Sequence, residues 1–581
     1  MQSTSAGSVF RQLQRITGPH VMLLWAALAG LAGALATIVF REALVIMQQL
    51  LVGHSGSFVE MAAGLPWPLR VFLPCAGGVL AGLFLVVAKR RAGTAPPDYM
   101  ESIAVGDGRI SVAQTLLRSA SSLCTISSGG SIGREGPMVQ LAALCASLLG
   151  QVGRFDTQRL RLLVACGAAA GIASAYNAPI ASAFFVTEIV LGTIAMESLG
   201  PMMIAAVVAN ITMRRFPGYK PTYEMPGFPD VPNLEVVLFA VLGVLAGLAA
   251  PQFLRLLSFA RRRFQQSGLP LPLRLGLGGL GVGMLSVWVP QVWGNGYSVV
   301  NSMLHQPWVW TAVLAILVFK IVATLFTAGS GAVGGIFTPT LFVGAALGQL
   351  FGQTMHALMP GLAAEPAAYA IVGMGAFLAA STGAPLMAIL MIFEMTLTYQ
   401  VMLPLMLACV IAYFLARGVG GPSMYEITAR HRREEQARER LRAIQMHELV
   451  KPADTVLPLD APLAAMRAMF AAHPVKYIYI VDAAQRYQGV VALRDLAAVS
   501  AQDRGTARDF LQPGLLPLVT PGMTLGEAYR QFLAHHGERL PVVQDLDDPV
   551  LLGVVYKTAL LDAYARLQPD HAPGWRGPQG A

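Results

Sequence analysis

Long apolar runs constrain the fold of this chain more than any other feature of its sequence. Residues 21–40 and 236–249 carry no charge, and residues 309–326 carry a single lysine. A helix needs about 20 apolar residues to cross the ~30 Å hydrocarbon core of a bilayer. Hydrophobic residues make up 55% of the 581-residue chain and charged residues 13%, whereas soluble domains carry about 25% charge. The sequence therefore predicts a polytopic protein of the lipid bilayer and argues against a soluble enzyme.

Much of the net charge of +9 flanks the apolar runs. Basic clusters at residues 89–91, 214–215 and 261–263 flank apolar segments. The cytoplasmic ends of membrane helices carry an excess of Lys and Arg. We therefore expect orientation in the membrane to explain the charge, and we expect no nucleic-acid partner.

The cysteines give no sign of a metal site or a disulfide. All five lie in apolar segments, and none has the spacing of a metal-ligand motif. Buried thiols that fill space are the expected state. The five are Cys75, Cys124, Cys145, Cys166 and Cys409.

The composition changes after residue 425. A charged, helical-looking linker follows, and beyond it come two similar α/β halves. Each half has a β-rich run, a polar turn, a strand that begins at a glycine, and a helix. The predicted boundaries are a cytoplasmic N-terminal tail at 1–20, the membrane domain at 21–425, the linker at 426–448, and the two soluble halves at 449–500 and 507–568.

Two coupled motifs occur twice in the membrane domain, in the same order. Residues 128–137 read SGGSIGREGP, and residues 330–339 read SGAVGGIFTP. Further along each copy, an Ala-Pro pair is followed at the same distance by a glutamate, Glu188 in one copy and Glu394 in the other. Repeated halves with broken helices are typical of transporters and channels whose site lies near the membrane midplane.

The GREGP motif at residues 133–137 has the chemistry of an anion site. Its glycines let the backbone approach a ligand closely, and its proline suits the first turn of a following helix. A helix N-terminus presents free amides and the positive end of the helix dipole, which favour an anion. The GGIFTP motif at residues 334–339 offers the same arrangement without a charged side chain. Together the two copies predict one anion site.

Glu135 puts a carboxylate where an anion is expected. A carboxylate within the membrane is a functional candidate by default. We predict that it competes with the anion, leaves when it is protonated, and so acts as a gate. The alternative is a loop glutamate that faces water outside the bilayer.

Five other polar residues support weaker hypotheses. Glu188 and Glu394 end matching apolar runs, so a shared structural role, such as capping or helix packing, is expected ahead of transport. Arg118 and Lys320 lie in or beside apolar stretches. They either supply positive potential to an anion path or snorkel or pair locally. Tyr425 follows the last apolar segment, as interfacial tyrosines do.

These motifs together resemble the CLC family of chloride channels and chloride/proton exchangers, over about residues 20–428. The resemblance implies an all-α polytopic membrane fold, an inverted repeat of about 18 helices, with one pore in each subunit of a homodimer. It places the dimer helices around residues 180–189 and 386–396. The resemblance rests on residues 133–137, 167–179 and 334–339 and on Tyr425, and residues 97–101 and 294–298 resemble the bacterial ClcB-type branch.

The resemblance also implies which residues meet the anion. Glu135 matches the external gating glutamate of the family. Main-chain amides near Glu135, Ile336 and Phe337 would hold chloride, together with the hydroxyl of Tyr425. The full implied chloride-binding set is Arg134, Gly136, Ile336, Phe337, Thr338 and Tyr425.

The chain departs from the family pattern at two places. The family's GSGIP loop falls at residues 93–97, which read GTAPP, so the implied inner-site loop is Thr94, Ala95 and Pro96. A hydroxyl survives at Thr94, but the changed neighbours leave the inner coordination and the anion preference open. Exchangers often carry an internal proton-relay glutamate where this chain has Ile189, which leaves proton coupling open.

The two soluble halves resemble a pair of CBS domains, a cytoplasmic regulatory module of many CLC proteins. CBS sites often hold an adenosine nucleotide through a Ser or Thr and an Asp that follow the glycine-led strand. The first half keeps Asp495 but has Ala492 at the hydroxyl position, and the second half has Tyr556 and Ala559. A structural or dimer-stabilising module and a nucleotide sensor are both open.

The sequence favours transmembrane chloride transport through a Glu135-gated pathway of the inner membrane, like that of a voltage-gated chloride channel. A chloride/proton antiporter is the alternative within transport, and a membrane-anchored sensor with a CBS output is the alternative from another class. The apolar region carries no Ser/His dyad, HExxH or paired-Asp motif, so no enzymatic activity is predicted. No cofactor is expected, and chloride is the expected ligand.

Overall fold

The computed structural model divides into two compact units, Met1–Ala429 and Arg430–Ala581. The implied inner-site loop, Thr94 to Pro96, and most of the predicted linker lie outside the described residues. The structure describes residues 19–53, 56–91, 98–216, 223, 235–360, 364–420, 422–425, 445–497, 505–533 and 537–567.

The described residues of the first unit are helical and fall into two consecutive series. A π-helical turn, Val186–Leu191, continues the eighth helix of the first series. The first series is α1 (Pro19–Val52), α2 (Phe58–Gly64), α3 (Trp67–Arg90), α4 (Tyr99–Ala104), α5 (Val112–Ser127), α6 (Glu135–Val152), α7 (Thr157–Tyr176), α8 (Pro179–Phe185) and α9 (Met196–Arg214). The second series is α10 (Glu235–Gln266), α11 (Leu271–Trp288), a 3-10 turn (Pro290–Val292), α12 (Tyr297–His305), α13 (Trp310–Ser330), α14 (Phe337–Leu358), α15 (Pro366–Thr382), α16 (Pro385–Thr396) and α17 (Met402–Val419).

Seven of the described helices are long and apolar enough to cross a membrane: α1, α3, α9, α10, α11, α13 and α17. The long apolar runs at residues 21–40, 236–249 and 309–326 correspond to parts of α1, α10 and α13. The polytopic membrane prediction is therefore confirmed. Among the other described helices of the first unit, α2, α4, α8, α12 and α16 have 12 residues or fewer, as expected where Gly and Pro interrupt apolar segments.

The two predicted repeats fold alike. Helices α5, α6, α7, α8 and α9 correspond, in that order, to α13, α14, α15, α16 and α17. Each Ala-Pro pair breaks the chain in the same way. Asn177 ends α7 and Gly383 ends α15 in the left-handed conformation, with φ of 59° and 72°. Pro179 and Pro385 then start the next helix, a position that proline favours.

Two glutamates join the repeats. Glu394, in the last turn of α16, accepts hydrogen bonds from the amides of Ile180 and Ala181 at the start of α8, at 3.0 and 2.7 Å. Glu188 accepts in turn from the amides at the start of α16, at 3.4 and 2.8 Å. Because each carboxylate lies at the end of one segment and caps the start of the other, the two segments run antiparallel, as an inverted repeat requires. The predicted capping role is confirmed.

Small residues allow the helices to pack closely around the centre of this unit. A Cβ atom at Gly279 of α11 would overlap the backbone of Pro74 in α3. Small side chains at helix contacts let membrane helices approach each other. Helices α7 and α15 are buried along almost their whole length, so the elements that follow them are held rigidly.

The described residues of the second unit form two small sheets. Strand β1 pairs in parallel with β2, which pairs antiparallel with β3, and β4 pairs antiparallel with β5. The elements are a 3-10 turn (Met446–Glu448), β1 (Val456–Pro458), α18 (Leu463–Ala472), β2 (Tyr477–Val481), β3 (Tyr487–Ala492), α19 (Leu493–Ala497), a 3-10 turn (Ala507–Phe510), α20 (Leu525–Leu533), β4 (Arg539–Val543), β5 (Leu551–Tyr556) and α21 (Lys557–Leu567).

The two halves of this unit share a strand irregularity that corrects one detail of the sequence prediction. Gly489 and Gly553 are the third residues of β3 and β5, not the first. Both have positive φ, 148° and 159°, and each lies next to a register shift in the neighbouring strand. The strands begin two residues earlier because pairing resumes on the far side of the bulge.

Residues 445–448 belong to the second unit and not to the predicted linker. Met446 is fully buried in the hydrophobic core of the second half. Lys451 exchanges two backbone hydrogen bonds with Val554 of β5, at 2.9 and 2.8 Å. The chain therefore enters the second half before it forms the first, a long-range contact that local sequence patterns do not reveal.

Helix α20 begins with a capping arrangement. The amide and hydroxyl of Thr524 donate to the carboxylate of Glu527, at 2.8 and 2.9 Å. These hydrogen bonds hold the pKa of the Glu527 carboxyl below its usual value, because they favour the charged form. They also fix the start of the helix.

Candidate anion-binding site

The two Gly-rich motifs bring two helix N-termini to one place. Helix α6 begins at Glu135 and helix α14 begins at Phe337, as the sequence predicts. The loops before them are joined by a pair of backbone hydrogen bonds: Gly133 N donates to Gly335 O at 2.7 Å, and Gly335 N donates to Gly133 O at 2.9 Å. The positive ends of two helix dipoles therefore converge on one small volume.

Glycine is required at this junction. A Cβ atom at Gly133 would overlap the carboxylate of Glu135, and one at Gly335 would lie 2.9 Å from Glu135 Oε2. A Cβ at Gly136 would lie 3.3 Å from the amide nitrogen of Gly335. Gly133 and Gly335 thus leave room for a carboxylate between the two loops, and Gly136 lets the loops approach each other.

The carboxylate of Glu135 is buried, with 5% of the residue exposed. Thr338 Oγ1 donates to Glu135 Oε1 at 2.5 Å, and the Tyr297 hydroxyl donates to the same oxygen at 3.3 Å. Tyr176 adds a hydroxyl 3.5 Å from Thr338 Oγ1. The alternative of a loop glutamate that faces water is therefore wrong.

The second oxygen of Glu135 differs from the first. Glu135 Oε2 is buried and has no hydrogen-bond partner among the described residues. It points toward the positions of Gly133 and Gly335, beside the converging helix ends. The carboxylate thus lies where two helix dipoles favour a negative charge, but only its Oε1 oxygen accepts hydrogen bonds from the described side chains.

A cavity of about 760 Å³ reaches Glu135. Gly136, Ile336, Phe337 and Tyr425 line the same cavity, so the structure brings these predicted site residues together. Thr338 contacts the carboxylate itself. Arg134 precedes α6 as its N-cap residue.

The charge around the cavity is predominantly positive. Its acidic lining residues, within the described part of the chain, are Asp98 and Glu135. Fixed positive charge in a cleft raises the local concentration of anions. The basic lining residues are Lys89, Arg118, Arg261 and Arg274.

Comparisons with known proteins agree with this geometry. The family model described as voltage gated chloride channel matches residues 76–417. The chain belongs to this family, the CLC family. The CBS domain model matches residues 516–566. The second soluble half is therefore a CBS domain. Members of the CLC family are channels and transporters rather than enzymes.

Three similar CLC proteins illustrate the relationship. A putative chloride channel protein, ClcB-like, from Ralstonia nicotianae is 58% identical over 411 residues, which cover 70% of this chain and 95% of that protein. The voltage-gated ClC-type chloride channel ClcB of Escherichia coli O81 is 41% identical over 417 residues, covering 70% and 99%. The crystal structure of a slow cyanobacterial Cl-/H+ antiporter is 27% identical with a TM-score of 0.63, covering 71% and 97%. The resemblance to the ClcB-type branch is confirmed.

The ring of Tyr425 is fixed by an aromatic contact at the CLC cavity. It packs edge-on against Phe185, with the ring centroids 5.6 Å apart. Its neighbour Met424 donates a backbone hydrogen bond to Ser381 O at 3.2 Å. Tyr425 therefore lines the cavity from a fixed position at the end of the membrane unit, instead of standing free at a lipid interface.

Two residues at the site were missed as site residues by the sequence analysis. Tyr297 and Tyr176 both reach the hydroxyl cluster around Glu135. Tyr297 follows the glycine turn at residues 294–296, and Tyr176 precedes the Ala-Pro break. Both are tyrosines directly beside a break between helices. Because the binding site of this membrane domain is built at such breaks, their position in the sequence could have indicated a role at the site.

Arg118 and Lys320 have different environments. Arg118 lines the cavity, as expected for a source of positive potential. Lys320 is completely buried in α13, and its ammonium donates to the backbone carbonyls of Val292 and Gly294. For Lys320 the alternative of local pairing is therefore the correct one.

The segment expected to carry an internal proton relay is a π-helical turn rather than the α-helix that the sequence suggests. Ile189, at the relay position, is completely buried. Its neighbour Glu188 is engaged by the amides at the start of α16. Neither side chain lines the cavity that reaches Glu135.

Proposed function

We propose that this CLC protein transports chloride across the bacterial inner membrane through a pathway in each subunit that Glu135 gates. The observation that carries the proposal is the position of the Glu135 carboxylate. It lies between two converging helix N-termini and at the end of a basic cavity. An anion that enters the cavity would meet the carboxylate at the place that favours negative charge most.

Gating follows from competition between two anions. When Glu135 is ionised, its carboxylate occupies the position between the loops and excludes chloride. When Glu135 is protonated, the helix ends attract it less, and a chloride ion replaces it. The amides of Gly136, Ile336 and Phe337, with Arg134, Thr338 and the Tyr425 hydroxyl near them, are the groups we propose to hold chloride. We assign Thr94, Ala95 and Pro96 to the inner end of the path.

A channel-like, passive mechanism is the first candidate. Its support is the π turn at Val186–Leu191, where Ile189 cannot bind a proton and Glu188 is used for capping. Chloride/proton antiport is the second candidate. It is favoured by the 27% identity and TM-score of 0.63 to a structure described as a Cl-/H+ antiporter, and protons would then be a second transported partner.

We further propose a homodimer in the cell membrane with the soluble unit in the cytoplasm. Exposed apolar side chains near α8 and α16, including Ile180 and Leu386, suit a contact with a second copy. Lys89 and Arg261, which line the cavity, belong to basic clusters of the kind found at cytoplasmic helix ends. The cavity would therefore open toward the cytoplasm.

Chloride efflux from liposomes tests the proposed function. Purified full-length protein is reconstituted with a chloride gradient, potassium and valinomycin hold the voltage, and a chloride electrode follows release. We expect release well above protein-free liposomes, and faster release at acidic pH. A membrane-anchored sensor with a CBS output would give no release at any pH, and that result would reject transport.

For the soluble unit, we propose a structural or dimer-stabilising role without a bound adenosine nucleotide. Ala492 offers no hydroxyl in the first half, Ala559 replaces the Asp in the second half, and Asp495 accepts a hydrogen bond from Gln512 at 2.5 Å. We therefore expect calorimetric titration of the full chain with ATP to give no binding at micromolar concentrations. A dissociation constant of about 1 μM, or about −8 kcal/mol, would instead support the nucleotide-sensor alternative.

A further inference from the structure

Lys320 is a buried cation that the gating proposal does not use. It lies in α13 with none of its surface exposed. Its Nζ donates to Gly294 O at 2.7 Å and to Val292 O at 2.9 Å. The ring of Phe342 lies 5.7 Å from the ammonium. Among the described residues, no carboxylate lies within ion-pair distance of it.

Burial of a cation in this position needs a reason. Moving an ammonium group out of water costs several kcal/mol unless hydrogen bonds compensate. An apolar side chain of the same length would fill the space without this cost. The two carbonyl contacts therefore explain why a lysine is present. The carbonyls belong to the turn at residues 292–296.

That turn is conformationally unusual. Gly294 and Gly296 both have positive φ, 68° and 96°. The side chain of Asn295 accepts a hydrogen bond from the amide of Tyr297 at 3.3 Å. Among the described residues, no backbone amide of a turn or loop donates to the carbonyls of residues 292 and 294. The ammonium of Lys320 satisfies both and ties the turn to α13.

The turn ends at the gate. Tyr297 is the first residue of α12, and its hydroxyl donates to Glu135 Oε1 at 3.3 Å. The same hydroxyl lies 3.3 Å from Thr338 Oγ1. A displacement of the turn would be transmitted to this hydroxyl, because Tyr297 follows Gly294, whose carbonyl Lys320 binds, by only three positions.

We infer that Lys320 is a positioning residue of the gate: by binding the Val292 and Gly294 carbonyls, it holds the Tyr297 hydroxyl on the Glu135 carboxylate. The inference rests on the proposed gating role of Glu135 and deepens it. Lys320 acts through Tyr297 and does not touch the anion. Its loss removes a hydrogen bond that favours the ionised, closed form of the gate.

The pH dependence of chloride efflux tests this inference. Lys320→Met keeps the length of the side chain but has no donor, and Tyr297→Phe removes only the hydroxyl. Each variant should move the midpoint of the pH profile upward by about one unit, as expected for loss of a hydrogen bond to a charged group. Lys320→Arg, the matched control, keeps a charged donor and should keep the wild-type midpoint.

A double-mutant cycle separates positioning from general stability. If Lys320 acts through Tyr297, the double variant should show the midpoint of either single variant and no further shift. In a Glu135→Gln background, Lys320→Met should leave the rate unchanged at every pH. If Lys320→Met does not fold, Lys320→Leu, which also has no donor, is measured in the same way.

Several outcomes overturn the inference. Additive shifts, or a uniform loss of rate with the wild-type midpoint, would give Lys320 a structural role only. The same conclusion follows if neither neutral variant folds while Tyr297→Phe does. A wild-type flux that does not depend on pH would reject the proposed gate itself, and with it the positioning role. An absence of flux would reject transport.

Discussion

Replacement of Glu135 by glutamine should make chloride efflux nearly independent of pH without abolishing it. In the wild type, the open fraction follows protonation of Glu135, so the rate should fall by about tenfold per pH unit above the midpoint. Glutamine has the shape of the protonated acid and no charge with which to compete for the helix ends. Its side-chain oxygen can still accept the Thr338 hydrogen bond, so the site should stay folded.

The control for this experiment is Glu101→Gln. Glu101 is exposed on the short helix α4 and does not line the cavity, so this variant should keep the wild-type pH profile. Efflux is measured at pH about 4.5 and about 7.5, to either side of the range in which perturbed carboxyls titrate. A Glu135→Gln protein that transports chloride with an unchanged pH profile would refute the gate.

A proton gradient should have little effect on the voltage at which chloride current reverses. Obligate exchange requires a proton to reach Glu135 from the cytoplasm by a route separate from that of the anion. The buried Ile189 cannot bind a proton, and Glu188 is engaged in capping. We therefore expect passive or loosely coupled movement, with a reversal potential set by chloride alone.

The measurement uses combined chloride and pH gradients across proteoliposomes. For an exchanger, each unit of pH gradient would shift the reversal potential by about 59 mV times the number of protons moved, divided by the total charge moved per cycle. Uphill proton movement at a fixed stoichiometry, lost in Glu135→Gln, would contradict the passive mechanism. The protein would then be an antiporter whose protons enter by a water file or another titratable group.

Coupled motifs are the part of the site that sequence reasoning predicts well. GREGP and GGIFTP each contain the glycines that permit a close approach and a residue that starts a helix, so the starts of α6 and α14 follow from local rules. The Ala-Pro breaks and the capping role of Glu188 and Glu394 follow in the same way, since both copies of the repeat carry them.

Contacts between distant segments could not be predicted. Tyr297 and Glu135 are far apart in the sequence, and nothing local indicates that a hydroxyl on α12 reaches the start of α6. The pairing of Lys320 with a glycine turn is hidden for the same reason. In the soluble unit, the entry of Met446 into the core of the second half depends on tertiary packing and not on the pattern of the linker.

The most direct measurement of the central claim is the position of a bound anion in the Glu135→Gln variant. Bromide replaces chloride and is located by its anomalous scattering in crystals of the full chain. The gating account predicts a bromide ion between the loops that contain Gly133 and Gly335, within reach of the amides at the starts of α6 and α14. Bromide bound only elsewhere, in a variant that still transports it, would contradict the account.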